Sequence, residues 1–213
     1  MDKSKRDQIM DVAEKLFAQS GYHGVSVRDI TSAANVRLAS VNYYFETKHN
    51  LYLEIFMRRA VDILQERQAG LNAIGFENLS KREAIEQIVH AYTDPLLKRV
   101  MAGDSGWRAY FSVLANHTTL PLADDQAAPE MNEYDVSSVD YIDALSRFVS
   151  SQDERKAHNA FQFLIGSMLT MFANNGRSNT LSQEKFKSNE YESIYQDGMD
   201  FMVAGVVRVL LGD

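Results

Sequence analysis

Apolar residues recur along this chain at three- and four-residue intervals, the period of amphipathic helices. The first run is Ile9, Val12, Ala13, Leu16 and Phe17, spaced so that a single stripe of one helix faces inward. Ser20-Gly21-Tyr22-His23-Gly24 interrupts it with two glycines. Ser26, three residues ahead of Asp29, has the spacing of a capping box, in which serine and carboxylate each accept a hydrogen bond from the other's backbone N–H. A short second helix follows, with Val27, Ile30 and Ala34 as its apolar face and Asn35 as its turn. Val41 and Phe45, four apart, point inward on a third helix and leave Leu38, Ala39, Ser40, Asn42, Tyr43 and Tyr44 on or flanking its outer face. Three short helices in this order, the last rich in polar and aromatic side chains, read as a helix-turn-helix arrangement.

The helical pattern continues. A fourth helix is predicted from Lys48 to about Gly70, and a break from Asn72 to Asn78. Ser80 with Glu83 repeats the capping-box spacing and opens a helix through Ala84, Ile88 and Leu96, with Pro95 as a kink point. Trp107 to about His117 forms an aromatic-rich helix after Gly103-Asp104-Ser105-Gly106, and Thr118 to Pro129 a loop. Tyr134 to Val149 is the next helix; Ser151 with Glu154 opens another that runs to about Asn174, and the last covers about Tyr191 to Leu211. The fold class is therefore all-α: an N-terminal helix-turn-helix domain over residues 1–47, joined through the long fourth helix to a larger helical body over residues 48–213.

Read in order, Ala13-Glu14-Lys15-Leu16-Phe17, Gly21-Tyr22, Ser26-Val27-Arg28-Asp29-Ile30, Ala33-Ala34-Asn35-Val36 and Val41-Asn42-Tyr43-Tyr44-Phe45, with Lys48 shortly after, resemble the DNA-binding domain of the TetR family of bacterial transcriptional repressors. The resemblance runs from Ile9 to about Arg59. It implies a homodimer on a palindromic DNA operator, a body that binds a small effector, and a four-helix dimer interface in the closing helices. The form of the third helix resembles that of family members responding to acyl or aromatic compounds.

The two closing helices are apolar on more than one face. Phe161, Phe163, Leu164 and Met168 mark the first, and Phe201, Met202, Val206 and Val209 the second, with Gly166 and Gly205 permitting close approach. Such width fits packing against a second copy of the chain, or burial at the centre of one domain.

Composition supports a globular protein: 213 residues, 45% hydrophobic, three prolines. With no cysteine, disulfides, thiolate metal sites and a cysteine nucleophile are excluded. The N-terminal residues lack the apolar core of a signal peptide, and no apolar stretch is long enough to span a bilayer, so a soluble cytoplasmic protein is expected, with no membrane partner. The net charge of −7 is unevenly shared. Residues 1–60 carry nine Lys and Arg against seven Asp and Glu, leaving −9 on the remainder. An acidic body behind a mildly basic head confines DNA attraction to that head; cytosolic proteins are also simply often acidic.

Within the head, Arg28 and Arg37 can reach phosphates or a guanine edge, and Ser40 and Asn42 can hydrogen-bond to DNA. Tyr43 and Tyr44 pair an apolar ring with a hydroxyl, suiting a thymine methyl and a phosphate oxygen. Leu38 and Ala39 either read a methyl group or shape the backbone fit. Lys48 opens the fourth helix, where backbone N–H groups already favour an anion. For the effector, Tyr92, Met101, Trp107, Tyr110, Phe111, His117 and Phe172 are candidates to line a body cavity, although aromatic residues at helical spacing also serve as ordinary core.

Catalytic motifs are missing: there is no H-E-x-x-H, no G-x-S-x-G and no phosphate-binding or dinucleotide glycine loop. Glu46 with His49 lacks the second Glu-x-x-His that a di-iron site requires, and Glu86 with His90 and Glu154 with His158 read as solvent-facing pairs. No catalytic residue, metal or cofactor is expected. The sequence leaves two other readings open, a helical small-molecule-binding protein or enzyme without a DNA role, and a regulator controlled by a protein partner.

Overall fold

The computed structural model describes residues 4–103, 105–119, 133–172 and 176–212. Among the described residues every regular element is helical. They are α1 (Lys5–Ser20), α2 (Val27–Ala33), α3 (Leu38–Phe45), α4 (Lys48–Asn72), α5 (Lys81–Met101), α6 (Ser105–Thr119), α7 (Glu133–Ser146), α8 (Arg155–Met171), α9 (Arg177–Leu181) and α10 (Tyr191–Leu211). Two short 3₁₀ turns, Phe76–Asn78 and Ser151–Asp153, complete the set. The chain divides into two compact units: one holds described residues from 4 to 61 together with α6, the other the described residues from 62 to 102 and from 133 onward. The first unit thus extends past the sequence-based boundary at residue 47, because Leu51, Tyr52 and Ile55 of α4 and Val113 of α6 share its core.

In the first unit Ile9, Ala13, Phe17, Ile30, Val41, Phe45, Leu51, Ile55 and Val113 are fully or almost fully buried in one cluster. The capping box opening α2 is formed, with Ser26 and Asp29 each accepting the other's backbone N–H. Asn35 adopts a positive φ of 49°, and Gln8 on α1 donates to the Ala34 carbonyl at 2.9 Å, closing the turn before α3. Thr47 caps α4 through the Asn50 N–H at 3.0 Å.

The position of α6 departs from the sequence-based expectation. It packs along α1, in the unit that holds the helix-turn-helix. Val113 joins the head core, and the Tyr52 hydroxyl reaches its carbonyl at 3.4 Å. Pattern alone could not assign this helix, because an apolar stripe specifies burial and not the partner that buries it.

In the second unit α8 packs extensively on α10, α10 on α5, and α7 on α8 and α5. Gly70 lets α4 cross α5 closely: a Cβ there would lie 3.1 Å from that of Ala91. Arg67 is completely buried, donates through Nε to the Tyr92 carbonyl at 2.8 Å and lies 3.6 Å over the Tyr92 ring. The Tyr141 hydroxyl donates to the Arg67 carbonyl at 2.8 Å. Tyr92 meets Tyr141 and Phe161 edge-on.

Two boundaries and one short helix differ from expectation. The helix predicted to open at Ser151 and Glu154 begins at Arg155 with no side-chain cap; Ser150 instead donates to Asp153 in a 3₁₀ turn. The helix expected to reach Val149 ends at Ser146. The five-residue α9 carries too few apolar positions to show a period. Most of the expected Thr118–Pro129 loop lies outside the described residues. Pro95 sits inside α5, which runs through it as one helix.

Candidate nucleic-acid interface

The outer face of α3 carries the chemistry. Val41 and Phe45 are buried at 0% and 2% exposure, and they anchor the helix so that the opposite side faces solvent. Tyr43 stands out at 81% exposure and Leu38 at 49%; Ala39 and Asn42 are exposed and Ser40 half-buried. The Tyr43 and Tyr44 rings meet edge-on at 5.0 Å. Tyr44 is half-buried against the core, so it packs as well as presents. Arg37 occupies the N-cap of α3 with no side-chain cap bond, leaving the first backbone N–H groups of the helix open to an acceptor such as phosphate.

Charge separates the contacts from the framework. Arg6 pairs with Glu54. Arg58 bridges Asp11 at 2.7 Å and Glu14 at 2.5 Å, and Arg59 reaches Glu14 at 3.0 Å while lying 5.0 Å over the Trp107 ring. Glu14 is only 3% exposed, a buried carboxylate held by two guanidinium groups as such a charge requires. These arginines tie α1 to α4. Arg28 on α2 and Arg37 are exposed and make no ion pair among the described residues. Hydrogen bonds from the Ser26 side chain and backbone hold the Asp29 carboxyl below its ordinary range, so the cap beside Arg28 stays ionised.

Lys48 is placed differently from the other candidates. Its Nζ donates to the Tyr22 carbonyl at 3.0 Å and the Val25 carbonyl at 3.1 Å, and lies 4.0 Å over the Tyr22 ring. Sequence spacing fixes its position after α3 but cannot show which way a long side chain turns.

Six of the seven effector candidates are divided between the two units. Trp107, Tyr110 and Phe111 belong to the first unit, where Tyr110 and Phe111 are buried and Tyr110 packs near Phe56. Tyr92 and Phe172 are buried in the second unit, Phe172 stacked with Tyr191, and Met101 is half-buried at the end of α5. The His117 side chain lies outside what the structure describes. None of the six described candidates lines the apolar groove between α8 and α10.

That groove is lined only by residues of these two helices. It encloses about 790 Å³ and is walled by Phe163, Gly166, Thr170, Phe201, Gly205 and Val209, among others. Phe163 and Phe201 are 61% and 60% exposed. Cβ atoms built on Gly166 or Gly205 would meet nothing within 4 Å.

Comparison with known proteins agrees with this geometry. Residues 9–55 match the profile of bacterial regulatory proteins of the tetR family, and residues 90–205 match that of the tetracyclin repressor-like C-terminal domain. A helix-turn-helix head and a helical body with both signatures define a TetR-type transcriptional regulator. The chain belongs to that family. It is similar to a probable HTH-type transcriptional regulator, YttP, of Bacillus subtilis, at 32% identity over 45% of this chain and 44% of that one. It also resembles IcaR of Staphylococcus aureus, a negative regulator of a biofilm operon, at 38% identity over 22% of this chain and 25% of that one. The chain thus spans less than half the length of these relatives. The fold is that of PfmR from Thermus thermophilus (TM-score 0.57, 17% identity, 94% of this chain and 96% of that one). It is also that of FadR from Bacillus subtilis, solved with stearoyl-CoA (TM-score 0.52, 16% identity, 93% and 98%). No helix among the described residues is long and apolar enough to cross a membrane.

Proposed function

We propose that this regulator is a cytoplasmic homodimeric repressor that sets two copies of α3 into successive major grooves of a palindromic operator. The observation that carries the reading is the face just described, where exposed Tyr43 and Asn42 stand on a core-anchored helix beside unpaired Arg28 and Arg37. Arg28 and Arg37 bind phosphate or a guanine edge; Ser40, Asn42 and Tyr43 reach base edges; Tyr44 offers its hydroxyl edge; Leu38 and Ala39 meet methyl groups. The groove between α8 and α10 receives a second copy, because an isologous pair covers both exposed phenylalanines and lets the glycine-lined helices approach. IcaR's description as a negative regulator supports the sign of regulation.

An apolar, aromatic or acyl effector that favours a different spacing of the two heads releases the DNA. The stearoyl-CoA of the FadR complex supports the acyl alternative. The reading is of a binding protein, not an enzyme. Selection of duplexes from a random-sequence pool by the wild-type protein tests it. The expected product is an inverted repeat with half-sites about 34–36 Å apart, or a multiple of that. Recovery of no enriched sequence overturns it.

A further inference from the structure

The turn between α1 and α2 is tightly constrained. Gly21 sits at a φ of 67° as the C-cap of α1, and a Cβ on Gly24 would come 2.2 Å from the Ser20 carbonyl oxygen, so the chain folds directly over the end of α1. Such a turn collects carbonyls. The last turn of α1 contains no basic residue to meet them, and the negative end of a helix dipole favours a cation there. Lys48 supplies that cation from α4.

An ammonium has three N–H donors. Two are directed to the Tyr22 and Val25 carbonyls, and the ring of Tyr22 lies 4.0 Å away as a third partner. Tyr22 is itself wedged among Phe17, His23, His49 and Tyr52 at centroid distances of 5.1–6.2 Å. Val25 immediately precedes the N-cap of α2, and Lys48 follows the C-cap of α3 by two residues. One side chain therefore fixes the start of α2 relative to the end of α3, the two elements that must dock together.

We infer that Lys48 is a positioning residue of the reading head, acting through Tyr22 and the α1–α2 turn, and not the phosphate contact its place at the start of α4 implies. This inference rests on the DNA-binding reading above. It also corrects the expectation from sequence: the backbone N–H groups at the start of α4 remain, but the lysine is spent on its own fold.

The test uses full-length protein and a duplex selected by the wild type. A phosphate contact contributes about 0.9 to the slope of log affinity against log salt for each phosphate neutralised. Lys48→Met should therefore weaken binding by about tenfold with an unchanged salt slope, and Lys48→Arg, which keeps donors for both carbonyls, should restore most of the affinity. Combining Lys48→Met with Tyr22→Leu should cost less than the product of the two single losses, since Tyr22→Leu removes the ring the ammonium rests on while leaving both carbonyls; independent contacts would multiply their effects. Reductive methylation of the wild type, read by mass spectrometry, needs no variant. Lys48 should react slowly with and without DNA, whereas a phosphate contact reacts freely until DNA protects it. A shallower salt slope in Lys48→Met, multiplicative losses in the double variant, or DNA-dependent protection of a reactive Lys48 would each overturn the inference. Failure of the wild type to select any duplex would instead remove the DNA reading beneath it.

Discussion

Exposed aromatic side chains stand on α3 and on the α8–α10 face, and the surroundings of the two surfaces differ in kind. On α3, Tyr43 stands with Asn42, Ser40, Arg37 and the nearby Arg28. On α8 and α10, Phe163 and Phe201 stand with Gly166, Gly205, Thr170 and Val209 and no charged group in the lining. An aromatic ring beside unpaired guanidinium groups suits a polyanion with flat bases, where cations secure the backbone and the ring edges meet methyl groups. Rings beside glycines in an uncharged groove suit another protein surface of the same character. The same class of exposed residue therefore serves opposite chemistries, and its neighbours decide which.

Breaking the apolar surface should have the largest effect. Phe201→Glu places a charge where a second copy is proposed to pack, and an unpaired buried charge costs several kcal/mol. The variant should sediment as a folded monomer. Operator affinity should fall on the order of 10²- to 10⁴-fold, because two linked heads gain that much from effective concentration. A variant that remains dimeric would move the interface elsewhere, and a monomeric wild type at micromolar concentration would remove it.

The polar surface should give a smaller and opposite pattern. Tyr43 is too exposed for its removal to cost much stability, so Tyr43→Ala should unfold within about 0.5 kcal/mol of wild type. Its operator affinity should nevertheless fall by roughly 1–3 kcal/mol. Equal affinity of variant and wild type in a shift assay at fixed salt would show that the ring reads nothing.

Legibility in the sequence followed the same division. Short-range signals were readable. Ser26 with Asp29 and Ser80 with Glu83 form capping boxes as their spacing predicts, and the third helix buries Val41 and Phe45 as its period requires. What depends on long-range packing was not readable. The Trp107 helix has an apolar stripe equally suited to the body, and only the three-dimensional arrangement assigns it to α1. The direction of Lys48 is a choice among rotamers that spacing does not encode. The Ser151 and Glu154 spacing imitated a cap that Ser150 and Asp153 displaced by forming a 3₁₀ turn.

The packing of α6 on α1 gives the head a fluorescent reporter. Trp107 is the sole tryptophan, and its ring lies under Arg59, which is already held by Glu14. Trp107→Leu should lower the unfolding free energy by about 1 kcal/mol, of which the lost cation–π contact contributes roughly 0.5–1. Denaturant unfolding followed by circular dichroism measures this. In the wild type, Trp107 emission should follow unfolding of the head. Emission that follows ligand binding while remaining indifferent to disruption of the head by Glu14→Ala would return this helix to an effector site.

The smallest expected effect lies in the second unit, in a polar clip between α5 and α10. Asp94 accepts from the Tyr195 hydroxyl at 2.7 Å, lies 2.9 Å from the Lys98 ammonium and 3.3 Å from His90 Nδ1. Burial pushes the Asp94 carboxyl up, but hydrogen bonds from His90, Lys98 and Tyr195 outweigh it and hold it at about 2. The hydrogen bond to Asp94 raises His90, with the nearby Glu86 adding to the rise, while burial and Lys98 oppose it. Asp94 thus stays ionised across the neutral range, and His90 sets the pH response. A histidine whose folded-state value is raised stabilises fully below its unfolded value, and that contribution disappears as pH rises through the folded value. Because the His90 side chain is 38% exposed, solvent screening keeps the gain below about 1 kcal/mol. Unfolding midpoints from about pH 6 to about pH 8.5 should therefore decline more in the wild type than in His90→Gln, which cannot titrate. Parallel declines in the two proteins would show that the clip holds α5 to α10 through Tyr195 and Lys98 without help from the imidazolium.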